Sequence, residues 1–281
     1  MATEGIPQFV RNPKLPQLDQ PLSTELRRGH IAMFDLNLKD EDEKWLHEHY
    51  PALKIQKRND GVFEIVGLFT FIMAFQSEGK PYVVNPAQDY TVGTKIQDEY
   101  QIRIELKGSE FSDLPQVYET GLRLKEVAEN RNLRQEDLHI NPSGAACLCI
   151  RPEESSNLPN GFDIEDFFNI LLVPFFYAQS YFEKNNSWPW GQYSHGVWGF
   201  IEWYLKQEKQ TSTTVEDLLQ RLRKYNNEWV KIKEALAPKH QIKGHHDCIC
   251  GKMEKMRNCH PEVLRGLWKL KQDMANLKIM I

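Results

Sequence analysis

Residues 61–75 read GVFEIVGLFTFIMAF and lie within a series of short β-like segments that decides the fold. The stretch 99–106, EYQIRIEL, alternates apolar and polar side chains, as a strand with one buried face does. Similar segments occupy 53–58, 80–85 and 114–120, and turn signals such as Asn59-Asp60-Gly61 separate them. Short strands joined by tight turns predict an antiparallel meander.

Helical patterns flank these strands on both sides. The stretch 40–50, DEDEKWLHEHY, places acids in its first turn and ends before Pro51, so it predicts a helix within 23–50. The further predicted helices are an apolar one at 163–184, an amphipathic one at 213–237 and a last one from Pro261 to about 278. The charged stretch 121–138 is compatible with a helix or a loop. The predicted class is therefore α+β.

The composition excludes several functional classes. The chain has 281 residues and a net charge of −4, so no overall field favours nucleic acid or acidic membranes. Residues 1–21 lack a basic region followed by an apolar run, so we expect no signal peptide. The two most apolar stretches, 62–75 and 162–181, are each interrupted by charged residues and by Gly or Pro, so we expect no membrane span. The five cysteines form two tight groups, which is typical of a reducing compartment. We expect a cytoplasmic protein.

The first cysteine group lies in residues 139–150, HINPSGAACLCI. Pro142 and Gly144 predict a turn, and two alanines leave room beside Cys147. A nucleophilic cysteine requires access, a neighbour that favours the thiolate and donors for a developing oxyanion, for which His139 and Asn141 are candidates. On these residues alone, a buried structural cysteine is an equally good interpretation.

The meander followed by this loop resembles the ubiquitin-conjugating enzyme family. In that family the loop reads approximately His-Pro-Asn-Ile-Asn-Ser-Asn-Gly-x-x-Cys-Leu. Ungapped matches fall on Ile140-Asn141, Gly144 and Cys147-Leu148. The resemblance implies that Cys147 is the nucleophile and that Cys149 is a packed bystander.

The sequence departs from the family at the His-Pro-Asn triplet, which Asp137-Leu138-His139 replaces. His139 thus occupies the position of the family's oxyanion-stabilising asparagine, where an imidazole could donate to the oxyanion or deprotonate a lysine. This departure fits a divergent bacterial branch of the family, found beside ubiquitin-like modifiers in defence operons. The implied activity is a thioester relay on Cys147, whose partners are a ubiquitin-like modifier, an adenylating activating enzyme and a protein target.

The second cysteine group has the spacing C-x-C-x8-C-H near the carboxyl terminus. Three thiolates and an imidazole form a tetrahedral zinc set with no open position, which is typical of structural zinc. The four predicted ligands are Cys248, Cys250, Cys259 and His260. Metal-free thiols remain an alternative, as do His245 and His246 as ligands. The pattern resembles the SEC-C zinc motif, which is appended to many bacterial proteins.

The predicted organisation has four parts. These are an irregular arm at 1–22, a conjugating-enzyme-like domain at 23–207, a linking amphipathic helix at 208–237, and a zinc knuckle with a terminal helix at 238–281. Two further functional hypotheses stay open. One is a non-catalytic binding or scaffold module on the same fold, with a zinc-dependent docking knuckle. The other is a redox pair of Cys147 and Cys149, for which the C-x-C spacing is unfavourable.

Overall fold

The computed structural model describes residues 36–76, 82–109, 112–208 and 210–281, and it divides the chain into two compact units. These units are Met1–Gln192 and Tyr193–Ile281. The predicted arm at 1–22 and residues 23–35 of the first predicted helix lie outside the described residues. Within the second unit, the helix Val197–Lys206 packs with the terminal helix Pro261–Leu277. The boundary at 207/208 between the conjugating-enzyme-like domain and the linking helix stays a prediction.

The first unit is built on an antiparallel sheet of five strands. The strands are β1 (Leu53–Lys57), β2 (Phe63–Phe75), β3 (Val83–Val84), β4 (Thr94–Glu105) and β5 (Gln116–Glu119). Their order is β1-β2-β4-β5, and β3 pairs with the end of β2. The helices of this unit are α1 (Asp40–His49), α2 (Arg123–Asn130), α3 (Arg151–Asn157), α4 (Ile164–Asp166) and α5 (Val173–Asn185). This arrangement confirms the predicted α+β class and the antiparallel sheet.

The core of the first unit lies between one sheet face and the continuous helical segment that contains α4 and α5. A π-helical turn, Phe167–Leu172, joins these two helices. The Phe176 ring lies 5.5 Å from Phe69 of β2 and 4.6 Å from Tyr100 of β4, measured between ring centroids. All three side chains are buried, and the Tyr100 hydroxyl lies 2.9 Å from Ser180 Oγ. The alternation in β4 therefore places its apolar face under this helix.

The second unit consists of helices. They are α6 (Val197–Lys206), α7 (Ser212–Arg223), α8 (Asn226–Leu236), α9 (Met256–Cys259) and α10 (Pro261–Leu277). The predicted single helix at 208–237 is therefore two helices. Tyr225 interrupts it, because its backbone leaves the helical region (φ −95°, ψ 77°) and its ring packs edge-on against Phe200 at 5.8 Å. In the described part of the chain, no helix has both the length and the apolar character that a membrane span needs.

Gly67 is the position where the sheet tolerates only glycine. Its φ is +141°, and an added Cβ would lie 2.2 Å from the carbonyl oxygen of Ala52. Gly61, in the β1–β2 turn, also has a positive φ (+86°) but has open space around it. An alanine at Gly61 would therefore meet backbone strain alone, whereas an alanine at Gly67 would meet both strain and steric overlap.

We predict that Gly67→Ala lowers the free energy of unfolding by about 2–5 kcal/mol, from left-handed strain and overpacking together. Gly61→Ala, the matched control, should cost only the strain, about 1–2 kcal/mol. Urea unfolding followed by circular dichroism measures both values. Equal losses in the two variants would contradict the close approach of Gly67 to Ala52.

Candidate thiol loop and metal centre

The loop that carries Cys147 begins with a short 3₁₀ helix, Gln135–Leu138, and then turns sharply twice. His139 adopts the left-handed conformation (φ 57°), which reverses the chain after the helix. The second turn is closed by the Gly144 N–H, which donates to the Asn141 carbonyl at 2.8 Å, with Gly144 at φ +84°. The predicted turn over Pro142 and Gly144 is therefore present.

Backbone and side-chain hydrogen bonds fix this loop to the sheet and to α5. The Ala146 N–H donates to the Val117 carbonyl of β5 at 2.7 Å, and the Cys147 N–H donates to the His139 carbonyl at 2.7 Å. From α5, the buried Gln179 side chain donates to the Leu138 carbonyl at 2.8 Å. Cys147 is thus held beside the end of β5, at a defined position on the fold.

The three predicted catalytic residues occupy different surroundings. Cys147 and His139 are joined through their backbones, and both are partly buried. The His139 ring packs edge-on against Trp188 at 5.5 Å. Asn141 is exposed at the tip of the turn and lines a shallow hollow with Leu133, Pro142 and residues of α2. Cys147 does not line that hollow.

The surroundings of Cys147 do not provide the thiolate-favouring neighbours that a nucleophilic cysteine requires. Its Sγ lies 3.8 Å from the Cys149 carbonyl oxygen, and Leu148 and Cys149 pack against the core. Burial, and then the charge of Glu154, raise the pKa of Cys147 to about 11. Burial also raises the pKa of Cys149 well above its ordinary value. These neighbours favour the thiol over the thiolate.

Glu154 is the residue of this site that sequence reasoning missed. It lies on α3, in the stretch RPEESSN, which reads as an exposed polar helix. In the structure its exposed fraction is 0 %, and its Oε2 accepts a hydrogen bond from the Asp113 N–H at 3.1 Å. No local pattern signals this burial, because it depends on the distant segment that holds Asp113.

The predicted metal ligands come together in the second unit. The three Sγ atoms and a ring nitrogen of His260 all lie within 4.8 Å of one another. Cys250 and Cys259 are 3.6 Å apart at Sγ, and His260 Nδ1 lies 3.1 Å from Cys259 Sγ. Ligands at tetrahedral zinc would be about 3.5–3.8 Å apart, for Zn–S bonds of about 2.3 Å and a Zn–N bond of about 2.0 Å. The four side chains could therefore hold one metal ion.

Local backbone structure places these ligands. The Cys248 N–H donates to the Glu254 carbonyl at 2.8 Å, and the Gly251 N–H closes a turn on the Cys248 carbonyl at 3.0 Å. The Lys252 N–H lies 3.4 Å from Cys250 Sγ, as a donor to a thiolate would. The other two ligands end α9 and precede α10. One side of the site is thus a turn and the other a helix junction.

The protonation of the cluster also bears on its chemistry. Burial, followed by the neighbouring thiols, raises the pKa of Cys259 to about 12. Burial lowers the pKa of His260, so the imidazole is held neutral, as a metal ligand must be. A bound cation would stabilise the thiolates and so lower the pKa of Cys259 again. Neither His245 nor His246 belongs to the cluster, and their rings pack on each other at 4.8 Å.

Comparison of the chain with protein-family models, with curated proteins and with solved structures finds no match.

We predict that Cys250→Ser removes bound metal from the purified protein and lowers the thermal stability of the 193–281 unit, because metal binding supplies folding free energy there. Metal analysis and thermal unfolding with and without a chelator measure these effects. Cys149→Ser and His246→Ala are the controls and should retain the metal. A wild-type protein that neither contains zinc nor gains stability from added zinc would refute the site.

Proposed function

We propose that the protein is a ubiquitin-conjugating-enzyme-like transferase that carries a ubiquitin-like modifier as a thioester on Cys147. The observation that supports this proposal most is the place of Cys147. It follows an antiparallel meander on a sharply turned loop, hydrogen-bonded to the last strand through Ala146 and to His139. This order of sheet, turn and cysteine is the one on which the sequence resemblance rests.

The proposed reaction is acyl exchange followed by aminolysis. The Cys147 thiolate attacks the carbonyl carbon of a modifier thioester on the activating enzyme. A new S–C bond forms, the old one breaks, and the departing thiolate takes up a proton. A target lysine amine then attacks, which forms an amide and returns Cys147 as a thiol. The raised pKa of Cys147 makes its thiolate scarce and makes it a poor leaving group, so the thioester would favour strong nucleophiles over water.

His139 is the residue proposed to assist the aminolysis step. It stands where the related family has an asparagine, and its backbone carbonyl accepts from the Cys147 N–H at 2.7 Å. A neutral imidazole there would donate to the oxyanion or take the lysine proton. Asn141, exposed at the turn, is proposed to contact the incoming modifier or target rather than the thiol.

For the second unit we propose a structural zinc ion bound by the cysteine–histidine cluster, in a knuckle that resembles the SEC-C motif. All four ligands come from the chain, so such an ion would be closed to substrate. Binding of this ion would supply free energy for the folding of this segment. The proposed setting is a bacterial, cytoplasmic conjugation pathway of the defence type, with an adenylating activating enzyme as partner.

A second candidate function is a non-catalytic binding module on the same fold. The raised pKa of Cys147 favours this candidate, because a thiol that stays protonated is a weak nucleophile. The two candidates differ in whether a covalent adduct forms at position 147.

To test the proposal, the protein is mixed with the activating enzyme and modifier encoded beside it, and adducts are resolved with and without reducing agent. We predict a thiol-sensitive adduct that Cys147→Ala abolishes and the matched control Cys149→Ala retains. An adduct lost in neither variant, or none from folded wild-type protein, would exclude the transferase and leave the binding module.

We further predict that His139→Ala leaves the amount of thioester nearly unchanged but slows transfer to free lysine by about 10²–10⁴-fold, the range for one acid–base or oxyanion group. His139→Asn should restore part of the rate, because the amide can donate to an oxyanion. Single-turnover discharge of the preformed thioester measures both variants. Equal discharge by wild type and His139→Ala would assign His139 to packing against Trp188.

A further inference from the structure

Two thiols of the cysteine–histidine cluster are close neighbours, which gives them a chemistry beyond metal binding. The Sγ atoms of Cys250 and Cys259 lie 3.6 Å apart, and a disulfide needs them to close to about 2.05 Å. The Gly251 N–H donates to the Cys248 carbonyl at 3.0 Å, and the Cys259 N–H donates to the Lys255 carbonyl at 2.9 Å. These hydrogen bonds hold the turn and the short helix that carry the two sulfurs.

The three thiols of the cluster differ in their access to solvent. Cys248 has an exposed fraction of only 5 %, and its Sγ lies 3.5 Å from the sulfur of Met256. Cys250 and Cys259 are only partly buried. Because a soluble oxidant must reach the sulfur, access favours the same two thiols that already lie side by side.

The surroundings of Cys250 also suit attack on an oxidant. Peroxides oxidise the thiolate, which is the form in which a cysteine binds a metal ion. The Lys252 N–H lies 3.4 Å from Cys250 Sγ, where it would stabilise negative charge on the sulfur. The Sγ of Cys147, in contrast, lies 3.8 Å from the Cys149 carbonyl oxygen, which is an acceptor. Of these two sulfurs, Cys250 is therefore the better placed for oxidation.

We propose that Cys250 and Cys259 form a site of reversible oxidation, at which a peroxide joins the two sulfurs in a disulfide and dismantles the metal site. The pair is free of the C-x-C constraint that disfavours a disulfide between Cys147 and Cys149, because eight residues separate its members. The redox chemistry considered for the first cysteine group is thus assigned to the second.

The oxidation balances with hydrogen peroxide as the only co-reactant. The Cys250 thiolate attacks one peroxide oxygen, the O–O bond breaks, and the departing hydroxide takes a proton from solvent to form water. Cys250 is then a sulfenic acid. The Cys259 sulfur attacks the Cys250 sulfur, an S–S bond forms, the S–O bond breaks, and a second water leaves after taking a proton. The two cysteines lose two electrons and the peroxide gains two.

The disulfide would remove two of the four ligands. Cys248 and His260 alone are too few for a structural site, which needs four protein ligands. The metal ion would therefore leave as a solvated cation, and the 193–281 unit would lose the folding free energy that metal binding supplies. This consequence rests on the proposed zinc ion, whereas formation of the disulfide does not.

The test uses the purified full-length protein, treated with hydrogen peroxide near neutral pH and then alkylated with iodoacetamide in denaturant. Trypsin without reducing agent leaves Cys248 and Cys250 in the peptide 244–252 and Cys259 in the peptide 258–265. We expect these two peptides to be joined, with the alkyl group on Cys248 located by fragmentation. Catalase added before the peroxide should prevent the link, and dithiothreitol should reverse it.

Zinc released during the same reaction is measured with a chromogenic chelator. We expect one equivalent of zinc for each disulfide formed, and rebinding after treatment with dithiothreitol and zinc. Cys149→Ser, the matched control from the first cysteine group, should give the same link and the same release. A wild-type protein that holds no zinc but still forms the link would support the oxidation site while refuting the proposed zinc ion.

Three results would overturn the proposal. They are a disulfide that includes Cys248, oxidation to sulfinic acid without a link, and a folded protein whose cluster does not react with peroxide. Zinc that stays bound when the Cys250–Cys259 link is complete would overturn the release of metal. All of these readouts come from the wild-type chain, so none depends on the folding of a variant. No modifier or activating enzyme is present, so the result is independent of the conjugation activity.

Discussion

The packing of α5 across the sheet is the contact on which the first unit depends. Phe176 lies against both Phe69 and Tyr100, all three buried, and this contact sets the distance between helix and strands. The same helix reaches the cysteine loop through Gln179, which donates to the Leu138 carbonyl at 2.8 Å. Because one helix both closes the core and ties down the loop, the position of Cys147 follows from the core.

The sequence predicted well those features that local patterns determine. The alternation in β4 identified its buried face, and the Asn59-Asp60-Gly61 turn joins β1 to β2 in the observed antiparallel pair. The cluster of three cysteines and one histidine was also predictable, because all four residues lie within 248–260 and short turns bring them together. The helix break at Tyr225 could not be predicted, because the amphipathic pattern continues through this residue. The break is accompanied by the contact between the Tyr225 and Phe200 rings, which no local pattern reveals.

The burial of the thiol loop was beyond local patterns. Asn-Pro-Ser-Gly reads as a surface turn and is one, but the residues after it pack inward, Leu148 and Cys149 against the core. Glu154 is buried, and its carboxylate accepts a hydrogen bond from the N–H of Asp113, which lies 41 residues earlier in the chain. Both facts depend on contacts between distant segments. Together they raise the pKa of Cys147, so the expected species is a protonated thiol and not an activated thiolate.

A thiol with a raised pKa is a weak nucleophile, so the decisive question is whether position 147 acquires an acyl group. The most direct measurement is the intact mass of the Cys147→Ser variant produced in its own host, where an oxyester would persist that a thioester would not. We predict a covalent small protein joined through its carboxyl terminus, which peptide mapping of the adduct places at position 147. An unmodified chain, or an adduct attached elsewhere, would contradict it.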